Sequence, residues 1–132
     1  VMSNGENIDG IFLIDNKEAT VNAINKIKNI IKITLGQIEQ LKSVKVHNTE
    51  STELCENAIK NLYMLLDTID KERNTSLSRD LDYLYKHCLF SVIRVRDHKD
   101  FDFLDGCVQV LGEITEGWER VGSAVKKAPA FG

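Results

Sequence analysis

The sequence predicts an all-α protein, an antiparallel up-down four-helix bundle with a short extended N-terminal strip. The only proline, Pro129, lies near the end of the chain of 132 residues, so no obligate helix breaker interrupts the preceding sequence. Apolar residues recur every three or four positions in four long stretches, which is the spacing of amphipathic helices. Short polar segments separate the stretches and favour antiparallel neighbours. Together these features exclude a chain built mainly from strands.

The first helix is predicted from Lys17 to Val44, and the second follows the next polar segment and continues to Ile69. The first apolar stripe consists of Ile24, Ile27, Ile31, Ile38 and Leu41, and the second of Leu54, Ala58, Leu62, Leu65 or Leu66, and Ile69. A polar break lies between them. There Thr49, Ser51 or Thr52 can cap the second helix. We therefore expect the first break near residues 46–50.

The third and fourth helices follow two further polar segments. Their stripes are Leu77, Leu81, Leu84, Cys88, Val92 and Val95 in the third helix, and Phe101, Leu104, Val108, Leu111, Trp118 and Val121 in the fourth. Ile114 or Thr115 completes the fourth stripe. The residues between the stripes carry no apolar run, so we expect breaks near 71–76 and 96–100.

These boundaries divide the chain into three parts. Residues 1–16 form the N-terminal strip, 17–125 the bundle, and 126–132 a flexible tail. The strip is apolar at Ile8, Ile11, Phe12, Leu13 and Ile14. It is either a short strand or an extended strip laid on the bundle, and we favour the strip. Five apolar residues left in water would form a patch that a monomer normally avoids, so we expect something to cover them.

Charge, hydropathy and cysteine spacing exclude several classes of partner and site. The net charge of −3 lacks the positive field that nucleic-acid binding requires. No apolar window is long enough for membrane insertion. Three widely spaced cysteines without a CxxC motif fit a reducing cytoplasm better than a disulfide framework or a zinc site.

Residues 17–45 carry six lysines against two glutamates, whereas residues 100–120 are strongly acidic. Complementary charge therefore favours packing of helix one against helix four, although the acidic face could also attract a basic partner.

The sequence offers no apparatus for catalysis. It contains no Glu-x-x-His pair, and His47, His87 and His98 lack the spacing of a metal site. His87 is the one histidine within a predicted helix, where it is either a phosphotransfer residue or a partly buried structural histidine. The cysteines lie on or beside apolar stripes, where a thiol acts as a small hydrophobe. We predict no enzyme activity, no metal and no cofactor.

The apolar residues exceed what one core stripe per helix needs. The surplus is either a wide core or a groove that binds amphipathic helices in protein–protein interaction. On the second interpretation, the expected partner-binding residues are Ile8, Ile11, Phe12 and Ile14 of the strip, Ile24, Ile27 and Ile31 of helix one, and Phe103 and Val110 of helix four.

Residues 59–121 resemble the flagellin export chaperone family FliS. The similarity lies in the Leu65-Leu66-Asp67 helix end, in Leu81-x-x-Leu84-Tyr85, in Asp100, Phe101 and Leu104, and in Leu111-x-x-Ile114-x-x-x-Trp118-x-x-Val121. We assign structural roles to Leu66, Asp67, Leu81, Leu84, Tyr85, Leu111, Ile114 and Trp118. The sequence departs from the family at the start of helix one, where the Ser-Pro cap and the Met-Leu-Tyr motif are absent.

The resemblance implies an ATP-independent cytoplasmic chaperone of the bacterial flagellum. Such a chaperone binds the disordered C-terminal region of flagellin, prevents premature polymerisation and delivers the subunit for type III export. Because the start of the first helix departs from the family, a diverged co-chaperone that binds another flagellar export protein is an alternative function. A plain helical interaction bundle is a further alternative, and weak homodimerisation stays open.

Overall fold

The computed structural model describes residues 7–8, 11–12, 17–70, 72 and 74–128. It confirms the all-α class and the four helices. Its elements are strands β1 (Asn7–Ile8) and β2 (Ile11–Phe12) and helices α1 (Lys17–Val44), α2 (Thr49–Asp67), α3 (Ser76–His98) and α4 (Leu104–Lys127). The predicted start of the bundle at residue 17 coincides with the start of α1, and α4 continues two residues beyond the predicted end at 125.

The described N-terminal residues are extended and pair with each other. Asn7 is opposite Phe12 and Ile8 is opposite Ile11 in an antiparallel register. A strand pair rather than a single continuous strip therefore occurs at these four positions. The side chains of the strip lie outside the described residues, and so does its expected placement on the bundle.

Asn48 caps the start of α2. Its side-chain oxygen accepts a hydrogen bond from the Ser51 backbone N–H at 2.9 Å, and Ser51 Oγ accepts from the Asn48 backbone N–H at 2.8 Å. This reciprocal capping box satisfies two donors that the helix itself leaves unpaired. We expected Thr49, Ser51 or Thr52 to be the cap, and this was wrong. The cap is Asn48, one residue before Thr49, and Ser51 is the third residue of the helix and the second partner in the capping box.

The connection between α3 and α4 lies later in the chain than predicted. Lys99 adopts a left-handed conformation with φ 58° and ends α3. The Asp100 carboxylate accepts from the Asp102 backbone N–H at 3.0 Å and from Arg94 Nη2 at 2.9 Å. These bonds hold a turn before Leu104. Phe101 was expected to open the fourth helix, but it lies in this turn instead.

The four helices form a closed ring in which each packs against two neighbours. Helix α1 contacts both α2 and α4, and α3 lies between α2 and α4 on the opposite side. Two ion pairs join α1 to α4, Lys28 to Glu119 at 3.1 Å and Lys42 to Asp105 at 2.8 Å. The pairs run in opposite directions along the two helices, so these helices are antiparallel. The ion pairs also confirm that the basic first helix packs against the acidic fourth.

The core is built from the centres of the four predicted stripes. Most residues assigned a structural role are buried in it, namely Leu66, Leu81, Tyr85, Leu111, Ile114 and Trp118. Leu84 packs against the core but stays partly exposed, and Asp67 is exposed at the end of α2. The buried residues thus define the bundle, and the partly exposed Leu84 marks one edge of it.

Candidate functional site: a groove between α3 and α4

Helices α3 and α4 approach each other least closely of the four neighbouring pairs. An open cavity of about 410 Å³ lies between them. Its apolar lining consists of Leu77, Leu81 and Leu84 from α3 and Ile114, Trp118 and Val121 from α4. We call this cavity the apolar groove. Its apolar side chains are the same type that a helix-binding groove presents to an amphipathic partner.

Two buried polar atoms belong to Trp118, which lines the apolar groove, and to the neighbouring Tyr85. The Tyr85 hydroxyl and the Trp118 indole nitrogen have no hydrogen-bond partner among the described residues. Burial raises the pKa of Tyr85 to about 12, and the neighbouring Trp118 side chain opposes part of that rise. A phenol is protonated at neutral pH even at its ordinary pKa of 10.0, and the raised pKa extends that range into alkaline solution.

Among the described residues, the charged side chains of the apolar groove stand at its rim. Asp80 on α3 and Glu113 and Arg120 on α4 line its edge, and all three are exposed. Gly117 adds no side chain to the α4 wall. An apolar floor with a polar rim is the arrangement that protein interfaces share.

A second cavity, of about 530 Å³, lies on another face of α3, between that helix and Phe103. We call it the aromatic surface, since Tyr83, Phe90 and Phe103 line it and are 70%, 59% and 45% exposed. The Arg94 guanidinium lies 4.9 Å from the centre of the Phe103 ring, a cation–π contact. Lys86, which also lines the cavity, pairs with Asp82 at 2.9 Å. Exposed aromatic rings beside basic side chains are typical of binding hot spots.

A family model described as "Flagellar protein FliS" matches residues 14–125, which covers all four helices almost to the end of α4. The chain belongs to the FliS family. Neither the curated proteins nor the solved structures compared with it gave a match. Membership confirms the resemblance, and the matched range includes helix α1 as well as residues 59–121. It implies a flagellar export chaperone, in a family of chaperones rather than enzymes.

The structure of this FliS-family chain corrects part of the expected partner surface. Ile24, Ile27 and Ile31 are buried, and Ile31 has no exposed area. They form the inner face of α1, because the most regular positions of an apolar stripe are the ones that face the core. Their side chains are therefore not available to a partner of the bundle as described.

The remaining expected partner residues fall into two groups. Phe103 lines the aromatic surface, and Val110 is a partly buried residue of α4. Ile8, Ile11, Phe12 and Ile14 belong to the strip, whose side chains lie outside the described residues. Their role in binding stays a prediction.

Sequence reasoning missed most of the residues that line the two cavities. Leu77, Leu84 and Val121 belong to core stripes in the sequence, yet all three are partly exposed. They lie at the edges of their stripes, where the limited contact between α3 and α4 leaves them uncovered. Tyr83 and Phe90 lie seven residues apart on α3, about two turns, and that spacing of exposed aromatics was the available signal.

The cysteines and His87 contribute packing. Cys55, Cys88 and Cys107 are buried free thiols. Burial raises the pKa of Cys55 to about 11, while a hydrogen bond to Cys107 and burial raise the pKa of Cys88. Cys55 and Cys88 are therefore poor nucleophiles. The hydrogen bond with Cys88 lowers the pKa of the Cys107 thiol, which is buried in the core. The His87 ring is partly buried beside Gly106, where an added Cβ would lie 3.6 Å from Nε2.

Two further features concern metals and membranes. Within the described ranges, no group of three or more His, Cys, Asp or Glu side chains is placed to hold a metal ion. None of the helices there combines the length and the apolar character that crossing a bilayer requires.

Proposed function

We propose that this protein is a cytoplasmic flagellar chaperone that binds the disordered C-terminal region of flagellin. Binding hides apolar surface that otherwise drives filament formation, and the complex delivers the subunit to the type III export apparatus. Membership in the FliS family supports the flagellar role. The open apolar groove between α3 and α4 is the observation that supports a helix-binding mechanism.

The mechanism follows from the properties of the groove. A disordered segment gains helical structure as its apolar face covers Leu77, Leu84 and Val121, which the bundle leaves partly exposed. Ordering such a segment costs about 2–5 kcal/mol or more, which lowers the affinity for a given buried area. Moderate affinity allows release at the export apparatus without a nucleotide.

Titration calorimetry with a synthetic flagellin C-terminal peptide tests this function. The full chain should bind the peptide with a negative heat-capacity change, because apolar surface is buried. Leu84→Asp places a carboxylate in the apolar groove and should weaken binding at least about tenfold. Ile33→Asp is the matched control, since Ile33 is 49% exposed on α1 and does not line the groove.

The same titration separates the alternatives. Binding of another flagellar export protein but not of the flagellin peptide would favour the diverged co-chaperone. The altered start of helix one, without the Ser-Pro cap, is the observation that favours this second candidate. Equal affinity of Leu84→Asp and wild type would exclude the apolar groove as the binding site.

A further inference from the structure

The α4 wall of the apolar groove contains a hole between four residue positions, which we call the α4 hole. Its corners follow the spacing i, i+3, i+4 and i+7 and are Ile114, Gly117, Trp118 and Val121, all of which line the groove. Four residues at this spacing surround one point on a helix surface, where a packed second helix inserts a large side chain. Three corners are apolar side chains, and the fourth, Gly117, has no side chain. The α4 hole is therefore open at one corner.

The bundle itself does not require a glycine at position 117. Among the described residues outside its chain neighbours and the helix backbone, only Arg120 Nη2 would lie within 4 Å of an added Cβ, at 3.9 Å. That atom ends a flexible side chain on an exposed residue. Glycine also stabilises a helix less than alanine does, because it loses more backbone freedom on folding. Neither packing nor helix stability therefore accounts for Gly117.

Two other glycines of α4 do lie against a neighbouring helix. An added Cβ on Gly106 would lie 3.6 Å from His87 Nε2 of α3, and one on Gly122 would lie 3.6 Å from Ile24 Cγ2 of α1. At both positions the bundle fills the space beside the glycine. Beside Gly117 the same space opens into the apolar groove. It is therefore available to a side chain from outside the bundle.

We propose that the client helix inserts one large apolar side chain into the α4 hole, and that Gly117 sets the size of the side chain that fits. This inference rests on the proposed function. The inserted side chain packs between Ile114 and Val121, and its end contacts the α4 backbone at Gly117. A Cβ at position 117 would occupy the space that this end needs. Gly117 is thus a specificity-determining residue of the client site, and the client segment carries a large aliphatic or aromatic side chain at the matching position.

Two alanine variants of the full chain separate the α4 hole from the stability of the helix. Gly117→Ala fills the open corner. Gly112→Ala is the matched control, because a Cβ there would also have no close neighbour among the described residues and Gly112 does not line the groove. Gly112 lies two turns from both Asp105 and Glu119, on the flank that pairs with α1. Both variants should raise the urea midpoint, since alanine favours the helix.

Calorimetry with the flagellin C-terminal peptide should distinguish the two variants. Gly117→Ala should bind at least about fivefold more weakly than wild type, because the added methyl group overfills the site. Gly112→Ala should stay within about twofold of wild type. Replacing the large apolar residues of the peptide by alanine, one at a time, identifies the inserted side chain. Its loss should weaken binding to wild type strongly and binding to Gly117→Ala much less, since the two changes affect one contact.

The outcomes separate this inference from the proposed function. If Leu84→Asp loses binding while Gly117→Ala binds as wild type does, the groove holds the client without the α4 hole and only the inference is wrong. If Gly117→Ala and Gly112→Ala lose affinity equally, a stiffer α4 explains the loss and the inference is again wrong. If wild type does not bind the peptide, the proposed function and the inference both fail.

Sedimentation analysis tests a second copy of the chain as the occupant of the α4 hole. The free protein should sediment in the same way with and without Gly117→Ala. A dimer that Gly117→Ala weakens, together with unchanged peptide affinity, would overturn the proposal.

Discussion

The two flanks of α4 differ in how closely they meet their neighbours. Toward α1 the contact is tight, since the ion pairs of Lys28 and Lys42 cross it and an added Cβ on Gly122 would lie 3.6 Å from Ile24 Cγ2. Toward α3 the same helix leaves the apolar groove. One helix thus stabilises the bundle with one flank and exposes apolar area with the other. Substitutions that face α1 should therefore change stability, partly exposed groove residues should change binding, and the buried groove residue Trp118 should change both.

The largest expected effect is on stability and concerns Trp118. Its indole is buried, and replacing a buried Trp by Ala costs about 3–5 kcal/mol. Trp118→Ala should therefore lower the urea midpoint strongly. A variant as stable as the parent would show that Trp118 contributes little packing to α4. Tyr63→Ala should change stability by less than about 0.5 kcal/mol, because its side chain is exposed.

A second prediction contrasts Ile31 with Val121. Ile31→Ala in the core should cost about 2–5 kcal/mol, whereas Val121→Ala at the groove edge should cost clearly less. Peptide affinity should show the opposite order once both variants are measured under conditions where they are folded. Urea titration and calorimetry on the same samples give both quantities. Equal losses of stability would mean that the groove edge is as well packed as the core.

A third prediction concerns the N-terminal strip as an internal competitor for the client site. If residues 1–15 occupy the groove in the free protein, the apparent client affinity equals the intrinsic affinity multiplied by the fraction of molecules whose groove is open. Removing them should tighten peptide binding severalfold and increase self-association of the free protein. Calorimetry and sedimentation measure the two effects. Unchanged or weaker binding would instead assign the strip to the fold or to the client site itself.

The sequence predicted the bundle well because helical periodicity and loop polarity are local properties. The prediction failed for side chains whose exposure depends on how two helices pack together. Ile24, Ile27 and Ile31 belong to the apolar stripe of α1 and face the core, so they are not a binding surface. Leu84 and Val121 have the spacing of core residues in the sequence. Their partial exposure follows from the limited contact between α3 and α4. The position of Phe101 depended on the turn that Lys99 and Asp100 form, which periodicity does not reveal.

A smaller effect is expected for the ion pair between Lys42 and Asp105. Both side chains are substantially exposed, so Lys42→Ala should lower stability only slightly. The loss should shrink at high salt, since exposed charges are screened. Urea titrations at low and high ionic strength measure both. A salt-independent loss would assign the effect to packing of the Lys42 stem instead.

The smallest expected effect is the acid dependence of the same flank. A hydrogen bond from Lys42 and its positive charge lower the pKa of Asp105 below its ordinary 3.8. A carboxyl whose pKa is lower in the folded state than in the unfolded state stabilises the fold at pH values above the unfolded-state pKa. This contribution is lost as the pH falls through the folded-state pKa. Thermal melts should therefore show a slightly smaller drop below pH 3.8 in Asp105→Asn than in wild type. Identical curves would show that the pair adds no stability.

Photo-crosslinking tests most directly whether the client binds between α3 and α4. A photoreactive benzophenone residue is placed at position 84 in the apolar groove, at position 33 on α1 or at position 63 on α2, in three separate variants. Each variant is irradiated with the flagellin C-terminal peptide, and the products are identified by mass spectrometry. We predict efficient crosslinks from position 84 and background levels from positions 33 and 63. Crosslinks from position 33 or 63, with none from position 84, would contradict the assignment of the groove as the client site.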